Sequence, residues 1–283
     1  MDVKTYLLAL KLFEPHRCFD KHGGDVIFKW VIQVLAQHGI RLEDIAGAVT
    51  DAGSDVRSGV VSAWSWEWCF AHLLNRATID ATGMSPAKDR SKNVQCRELL
   101  ELIKGMVELF NKPAVDKIAL EDIIDEMSGG EGSKAKLSQA VAQRWISVFQ
   151  MLLRVLERWD ALRTFYLAKG ESFPLTGTKD GVEEVYSIMN EVKGVIVYSQ
   201  TTYKPTAQGG LQRLILIATT ALDPEHPLKV RHVRAVGQGK EDVEPEEVRP
   251  SADLTRVARV TREAFARGVA RRFVSPRYGK CLS

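Results

Sequence analysis

Residues 43–75 read EDIAGAVTDAGSDVRSGVVSAWSWEWCFAHLLN, and this stretch decides the predicted fold class. Ile45–Val49 is an apolar run of strand length, and a turn-forming stretch that contains Asp51 closes it. A second short run, Trp66–Phe70, leads into a helix that begins near Ala71. Two strand-turn-helix units in series predict an α/β fold in which a parallel pair of strands carries helices on its faces.

Asp51 is the strongest candidate for a functional residue in this stretch. An acidic side chain at the carboxyl end of a strand, beside the start of a helix, occupies a usual ligand position in open α/β sheets. The functional interpretation is a carboxylate that holds a divalent cation, with Mg²⁺ the first choice, for phosphoryl transfer. The structural alternative is an N-cap or turn residue, because aspartate is common in both positions.

The composition is that of an ordinary globular protein. The chain has 283 residues, of which 45% are hydrophobic and 27% are charged, enough for one large domain or two smaller ones. No run reaches the roughly 18 apolar residues of a membrane span, so we expect no membrane partner. No secretory signal pattern opens the sequence. The four cysteines are irregularly spaced, which indicates a reducing compartment rather than a disulfide framework.

The net charge of +3 is unevenly distributed. Residues 254–283 hold eight basic side chains against one acidic one, so this segment alone carries +7 and the remainder −4. The basic residues are Arg256, Arg259, Arg262, Arg267, Arg271, Arg272, Arg277 and Lys280. Such a segment is typical of a contact with nucleic acid, an acidic partner or a membrane surface.

The basic segment has helical periodicity. Ser251 is the predicted N-cap, and the apolar side is expected to consist of Leu254, Val257, Ala258, Thr261, Phe265 and Val269. The arginines are expected on the opposite, solvent-facing side. That face fits either a phosphate contact through residues such as Arg256, Arg259, Arg267 and Arg271, or a solvated helix surface.

Helical periodicity dominates the rest of the chain. Helices are predicted at residues 25–38, 56–63, 71–82, 99–110, 118–127, 134–168, 180–203 and 206–222. A further strand is predicted within residues 5–12, and residues 234–250 are predicted to form an extended linker. The predicted organisation is a partial α/β domain at 1–93, a helical domain at 94–230, and a linker with a basic tail helix at 231–283.

Two further motifs have both a functional and a structural interpretation. Cys69 and His72 have the spacing of half a zinc site, but no second ligand pair is found, so a packed cysteine and a capping or hydrogen-bonded histidine are expected. Trp145 lies on a long apolar stripe and fits a plain core position. The functional alternative is that Trp145 stacks on an unpaired base while Arg144 contacts phosphate.

Taken in order, these pieces resemble the hAT superfamily of DNA transposases. Family members carry Thr-Asp-x-x-Ser-Asn, Cys-x-x-His-x-x-Asn, Arg-Trp-Asn-Ser and Leu-Asp-Pro in that sequence. The matching segments here are Val49–Asp55, Cys69–Asn75, Arg144-Trp145 and Ala221–Pro224. The resemblance covers about residues 1–230.

The resemblance implies an RNase H-like catalytic fold that is interrupted by a large helical insertion. In that fold three acidic residues hold two metal ions, and Asp51 matches the second of them, as a catalytic residue and Mg²⁺ ligand. His72 matches a DNA contact beside the active site, and Arg144 with Trp145 match the pair that attends a flipped base. The implied partner is DNA rather than a small-molecule substrate, and the implied location is the nucleus.

The departures from the family pattern predict a remnant. Residues 5–12 resemble the third strand of the fold, so the first two strands and their aspartate are not identified, and no matching glutamate follows Pro224. Asp55 and Ile146 stand where the family usually has asparagine. We expect an incomplete sheet of two or three strands with an open edge suited to self-association. We also expect a truncated or domesticated protein that is catalytically inactive.

Two other interpretations remain open. The first is a non-catalytic helical module that binds protein or DNA. The second is an unrelated metal-dependent α/β hydrolase that uses Asp51.

Overall fold

The computed structural model describes residues 24–45, 47–50, 53, 63–84, 93–111, 115–129, 145–200, 207–234 and 246–274. The chain divides into two compact units, Met1–Leu73 and Leu74–Ser283. Helices predominate in the described residues, with one parallel pair of strands and one separate antiparallel pair. This architecture is compatible with an α/β class of few strands, and the predicted domain boundaries stay predictions. No helix in the described ranges is long and apolar enough to cross a membrane.

The first unit contains the predicted parallel pair. Its elements are α1 (Gly24–Gln37), β1 (Ala48–Thr50), β2 (Trp66–Trp68) and the first turn of α2 (Phe70–Ala81). β1 and β2 run parallel, with Ala48 opposite Trp66 and Thr50 opposite Trp68, which confirms the prediction of a parallel pair. The strand predicted within residues 5–12 and nearly all of the helix predicted at 56–63 lie outside the described residues.

β2 is shorter than predicted because helical bonding begins early. The Cys69 amide donates to the Thr50 carbonyl at 2.8 Å, which continues the ladder one residue beyond β2. The Leu73 amide then donates to the Cys69 carbonyl at 3.0 Å, so Phe70 already belongs to α2 rather than to β2.

Glycines end the two helices around this pair. Gly39 has φ +69° and follows α1, and Gly83 has φ +72° and follows α2. In each case the next residue donates its amide back into the last turn, from Ile40 to Leu35 and from Met84 to Ile79, both at 3.0 Å. Glycine enters the left-handed region without steric cost, so both positions are those expected of a helix stop.

The second unit is built mainly of helices. They are α3 (Val94–Asn111), α4 (Val115–Met127), α5 (Trp145–Glu157), α6 (Trp159–Ala168), α7 (Lys179–Gln200), α8 (Ala207–Ala218) and α9 (Arg256–Val269). A hairpin of β3 (Leu228–Arg231) and β4 (Glu246–Arg249) accompanies them. A π-helical turn at 270–274 follows α9.

α7 is the central element of this unit. It packs against α5, α8, α9 and β3, and every residue from 181 to 189 is buried. A helix covered from several sides must bury whatever side chains its sequence places there, and here these include Glu183 and Glu184.

The stripe predicted as one helix at 134–168 is interrupted in the structure. α5 and α6 are separated at Arg158, which has φ −113° and ψ 15°. The buried Arg158 guanidinium donates to Glu157 Oε2 at 3.0 Å. Beyond the break, Trp159 packs edge-on against Phe173 with ring centroids 5.3 Å apart. The apolar period continues across the break, so periodicity alone does not reveal it.

The prediction of an extended linker at residues 234–250 is wrong at its end. Glu246–Arg249 forms β4 and pairs antiparallel with β3. β3 has the expected alternation, with Leu228 and Val230 buried, whereas β4 has no buried residue. A strand that is attached through charged side chains lacks the apolar alternation from which strands are predicted.

Candidate nucleic-acid interface

The carboxyl end of β1 is held from the side of β2. Trp66 donates its indole N–H to Thr50 Oγ1 at 2.7 Å, and the Thr50 carbonyl accepts the Cys69 amide at 2.8 Å. The residue directly before Asp51 is therefore fixed through both its side chain and its backbone. Asp51 itself lies outside the described residues, so its roles as catalytic residue and Mg²⁺ ligand stay predictions.

His72 lies in an aromatic row that starts on β2. The rings of Trp66 and Trp68 are 5.1 Å apart, and the His72 imidazole stacks on Trp68 at 6.1 Å with an interplanar angle of 27°. Cys69 is partly exposed and has a free thiol. Within the described ranges, no three histidine, cysteine or acidic side chains converge as a metal site. The DNA contact expected of His72 stays a prediction.

The predicted base-stacking pair lies at the edge of what the structure describes. Trp145 is the first residue of α5, but its side chain and the whole of Arg144 are outside the described part of the chain. The next residues show the orientation of this turn, since Ile146 is exposed and Ser147 is buried.

The exposed side of α9 retains two basic residues without an acidic partner. Arg256 and Arg259 are exposed, and no carboxylate in the described ranges pairs with either of them. Arg267 is also exposed but donates to Glu263 Oε2 at 3.4 Å, one turn earlier. Arg256 and Arg259 are three residues apart and therefore neighbours on one helix face, which suits contact with adjacent phosphates.

Arg262 was predicted on the solvent-facing side of α9, and this prediction is wrong. Its side chain is fully buried, and it donates to the backbone carbonyls that follow α8. Nε bonds the Ala221 carbonyl at 2.9 Å, and Nη2 bonds the carbonyls of Thr220 at 3.1 Å and His226 at 2.7 Å. The Asp223 carbonyl and the Ser251 hydroxyl complete this set of acceptors.

The burial of Arg262 has an electrostatic consequence and a detectable sequence signal. Desolvation lowers the pKa of its guanidinium, and the nearby Asp223 opposes that effect. Arg262 follows Ala258 by four positions and precedes Phe265 by three, so it belongs to the apolar stripe rather than to the solvent face. The predicted cap is also corrected, because Thr255 rather than Ser251 accepts the Ala258 amide.

The two arginines after α9 are engaged by a single carboxylate. Arg271 and Arg272 donate to Asp80 Oδ2 at 2.8 and 2.6 Å. Arg272 is nearly buried, and Arg271 is 57% exposed. Arg271 was predicted as a DNA contact, and the structure places it in an intramolecular ion pair that nucleic acid would have to replace.

A cluster of charged residues between α7 and the hairpin was not predicted. The buried Glu184 carboxylate accepts from Arg249 at 2.6 Å, and Arg249 also donates to Glu247 at 2.8 Å. The pKa of Arg249 is raised, first by the hydrogen bond to Glu247, with Glu184 adding to it. The signal in the sequence is the pair Glu183-Glu184 within an otherwise apolar helix.

No protein-family model and no curated protein sequence matches this chain.

Proposed function

We propose that this chain is a nucleic-acid-binding protein of hAT transposase descent that does not cut or transfer DNA strands. In this proposal the first unit is part of an RNase H-like sheet, and much of the second unit corresponds to the helical insertion. The proposed binding partner is DNA, and the proposed location is the nucleus.

The observation that carries the proposal is the parallel pairing of β1 with β2. The family resemblance requires a strand that ends directly before an acidic residue, next to a parallel strand that ends at Cys-x-x-His. Thr50 is the last residue of β1 and precedes Asp51, while Cys69 and His72 follow β2. The pairing brings the ends of the two motifs to one edge of a sheet, since parallel strands share their carboxyl edge.

The basic side of α9 supports DNA as the partner. Arg256 and Arg259 project from neighbouring positions and are exposed. Phosphate contacts of this kind give sequence-independent affinity that depends strongly on salt. Arg262, Arg271 and Arg272 are engaged within the protein, so we assign the contact to the amino-terminal half of α9.

The proposed loss of catalysis rests on the sequence. Of the three acidic residues of the family's catalytic site, only Asp51 is identified in this sequence. One carboxylate provides too few ligands to bind two metal ions. Any residual activity would require Mg²⁺ at Asp51. The test is an assay of strand transfer and hairpin formation with Mg²⁺ and with Mn²⁺, for which we expect no product; robust cleavage that Asp51→Asn abolishes would refute the inactive assignment.

Self-association through β1 is part of the proposal. Val49, at the centre of β1, is 68% exposed, and among the described residues β1 pairs only with β2. The sequence predicts an open edge on this sheet, and an open edge is a template for another chain. Light scattering coupled to size exclusion tests this, with a concentration-dependent dimer expected and a monomer that persists at high concentration contradicting it.

A non-catalytic helical interaction module is the second candidate. Arg262, Arg271 and Arg272 form hydrogen bonds or ion pairs within the protein. The surface of α9 and the turn after it is therefore less basic than the sequence indicates, which favours this candidate. A salt-dependent gel shift separates the two candidates. Binding that disappears in Arg256→Ala/Arg259→Ala supports DNA contact, and absence of any shift at low salt supports a module for protein partners.

A further inference from the structure

His232 lies directly after β3 and bridges two carboxylates on different elements. Its Nδ1 is 3.0 Å from Oε2 of Glu183 on α7, and its Nε2 is 3.2 Å from Oε2 of Glu247 on β4. Glu183 is almost completely buried, whereas Glu247 is half-exposed. The imidazole therefore connects the interior of the helical unit to the outer strand of the hairpin.

Further charged groups surround this contact within the described ranges. On α7, Lys179 Nζ is 4.0 Å from the other oxygen of Glu183. On β4, Arg249 donates to the same oxygen of Glu247 that faces His232. The next ion pairs join Arg249 to Glu184 and Asp180 on α7. From β3, Arg231 pairs with Glu191 and Glu246.

With both carboxylates ionised, the geometry requires two protons on the ring. An ionised carboxylate can only accept hydrogen bonds, and a neutral imidazole has one N–H. Both contacts of His232 are therefore hydrogen bonds only when the ring is an imidazolium. When the ring loses a proton, one nitrogen faces a carboxylate oxygen as lone pair against lone pair, and either α7 or β4 loses its contact.

We propose that His232 is a pH-sensitive clasp that holds β4 against α7 while both ring nitrogens are protonated and loosens when one proton is lost. Because only the doubly protonated ring donates at both nitrogens, the clasp favours the closed hairpin at lower pH and weakens as pH rises and the ring loses a proton. At low pH the contact is lost for a different reason, the protonation of Glu247. The pKa of Glu247 is lowered, first by the hydrogen bond to Arg249 and also by His232, so this contact is lost as pH falls through the carboxyl range.

β4 is suited to such control because few other contacts within the described residues hold it. It buries no residue, and besides its ladder with β3 it is attached through Glu246, Glu247 and Arg249. Leu228 and Val230 of β3 are buried, and β3 packs against α7, so loosening β4 would uncover the β3 backbone edge beside them. The device thus couples a proton to the release of an outer strand, independently of the function proposed above.

The test is amide hydrogen exchange of the β3 and β4 peptides in the full chain, corrected for intrinsic rates, at several pH values. In the wild type we expect protection to fall about tenfold between about pH 6 and pH 8, the size of one lost hydrogen bond to a charged group. Glu247→Gln is the diagnostic variant, because a glutamine amide can donate to an unprotonated Nε2. Its protection is expected to be lower at all pH values but no longer pH-dependent.

His226→Gln is the matched control, since His226 is an exposed histidine near the start of β3 and makes no side-chain contact with Glu183 or Glu247. It should keep the wild-type pH dependence. Wild-type protection that does not change with pH contradicts the proposal, and it would indicate that Glu183 rather than the ring holds the proton. A Glu247→Gln variant with the full wild-type pH dependence contradicts the proposal as well.

Discussion

Glu184 of α7 caps α9 through Thr255. The fully buried carboxylate accepts the Thr255 amide at 3.0 Å and the Thr255 hydroxyl at 2.5 Å, while its other oxygen accepts from Arg249 at 2.6 Å. α9 has no acidic residue in its first turn. The negative charge that favours a helix amino terminus is supplied here by a neighbouring helix, so the hairpin and α9 depend on the same side chain.

Glu184→Gln is expected to destabilise the second unit. Arg249 loses its buried charged partner and Thr255 loses a charged acceptor, so we expect a loss of about 3 kcal/mol in the free energy of unfolding. Urea denaturation measures it. Glu263→Gln, which removes an exposed carboxylate one turn from Arg267, is the control and should change stability by less than about 0.5 kcal/mol. Equal effects of the two variants contradict the capping role.

Arg262→Met is expected to be more damaging than loss of any exposed arginine of α9. Methionine retains much of the aliphatic volume but removes the donor that Arg262 supplies to the carbonyls of Ala221 and His226. Unsatisfied buried acceptors cost about 1–3 kcal/mol each, so the variant should lose several kcal/mol or fail to fold. Arg259→Met is the matched control in thermal unfolding, and a similar midpoint for both variants would show that the buried network contributes little.

Arg256→Ala/Arg259→Ala is expected to weaken DNA binding and to flatten its salt dependence. Each lost phosphate contact reduces the slope of log affinity against log salt by about 1, so the double variant should lose about 2. Fluorescence anisotropy with a labelled duplex measures the slope. Lys104→Ala/Lys117→Ala removes the same charge from α3 and α4 and should leave the slope nearly unchanged. A similar loss in both double variants indicates that only net charge matters.

Cys96 is expected to resist alkylation in the folded protein. Burial raises the pKa of its thiol to about 12, so at pH 8 almost none of it is the reactive thiolate. Iodoacetamide followed by peptide mapping should modify the partly exposed Cys69 first and Cys96 only after denaturation. Modification of both cysteines at the same rate under native conditions contradicts the packing of α3.

The sequence predicted those features that depend on neighbouring residues and on the pattern of apolar side chains. The runs Ile45–Val49 and Trp66–Phe70 predicted a parallel pair, and helical periodicity predicted helices at residues 25–38 and 71–82, all of which the structure contains with slightly shifted ends. These features depend on backbone preference and on alternation, which neighbouring residues reveal.

What could not be read was decided by partners far away in the chain. Arg262 is buried because carbonyls some forty residues earlier accept its donors, and Glu184 is buried because Arg249 and Thr255 meet it. β4 forms from a polar stretch because β3 and α7 provide its charged partners. A charged residue on an apolar stripe, as at Arg262 and Glu184, is the one local sign of such pairing.

The most direct test of the central claim is the salt dependence of DNA binding by the intact chain. A labelled duplex is titrated with protein at several salt concentrations, with anisotropy as the readout. We expect binding at low salt, with log affinity falling linearly against log salt at a slope of about −2 if Arg256 and Arg259 supply the contacts. No binding at low salt, or binding that is insensitive to salt, would contradict it.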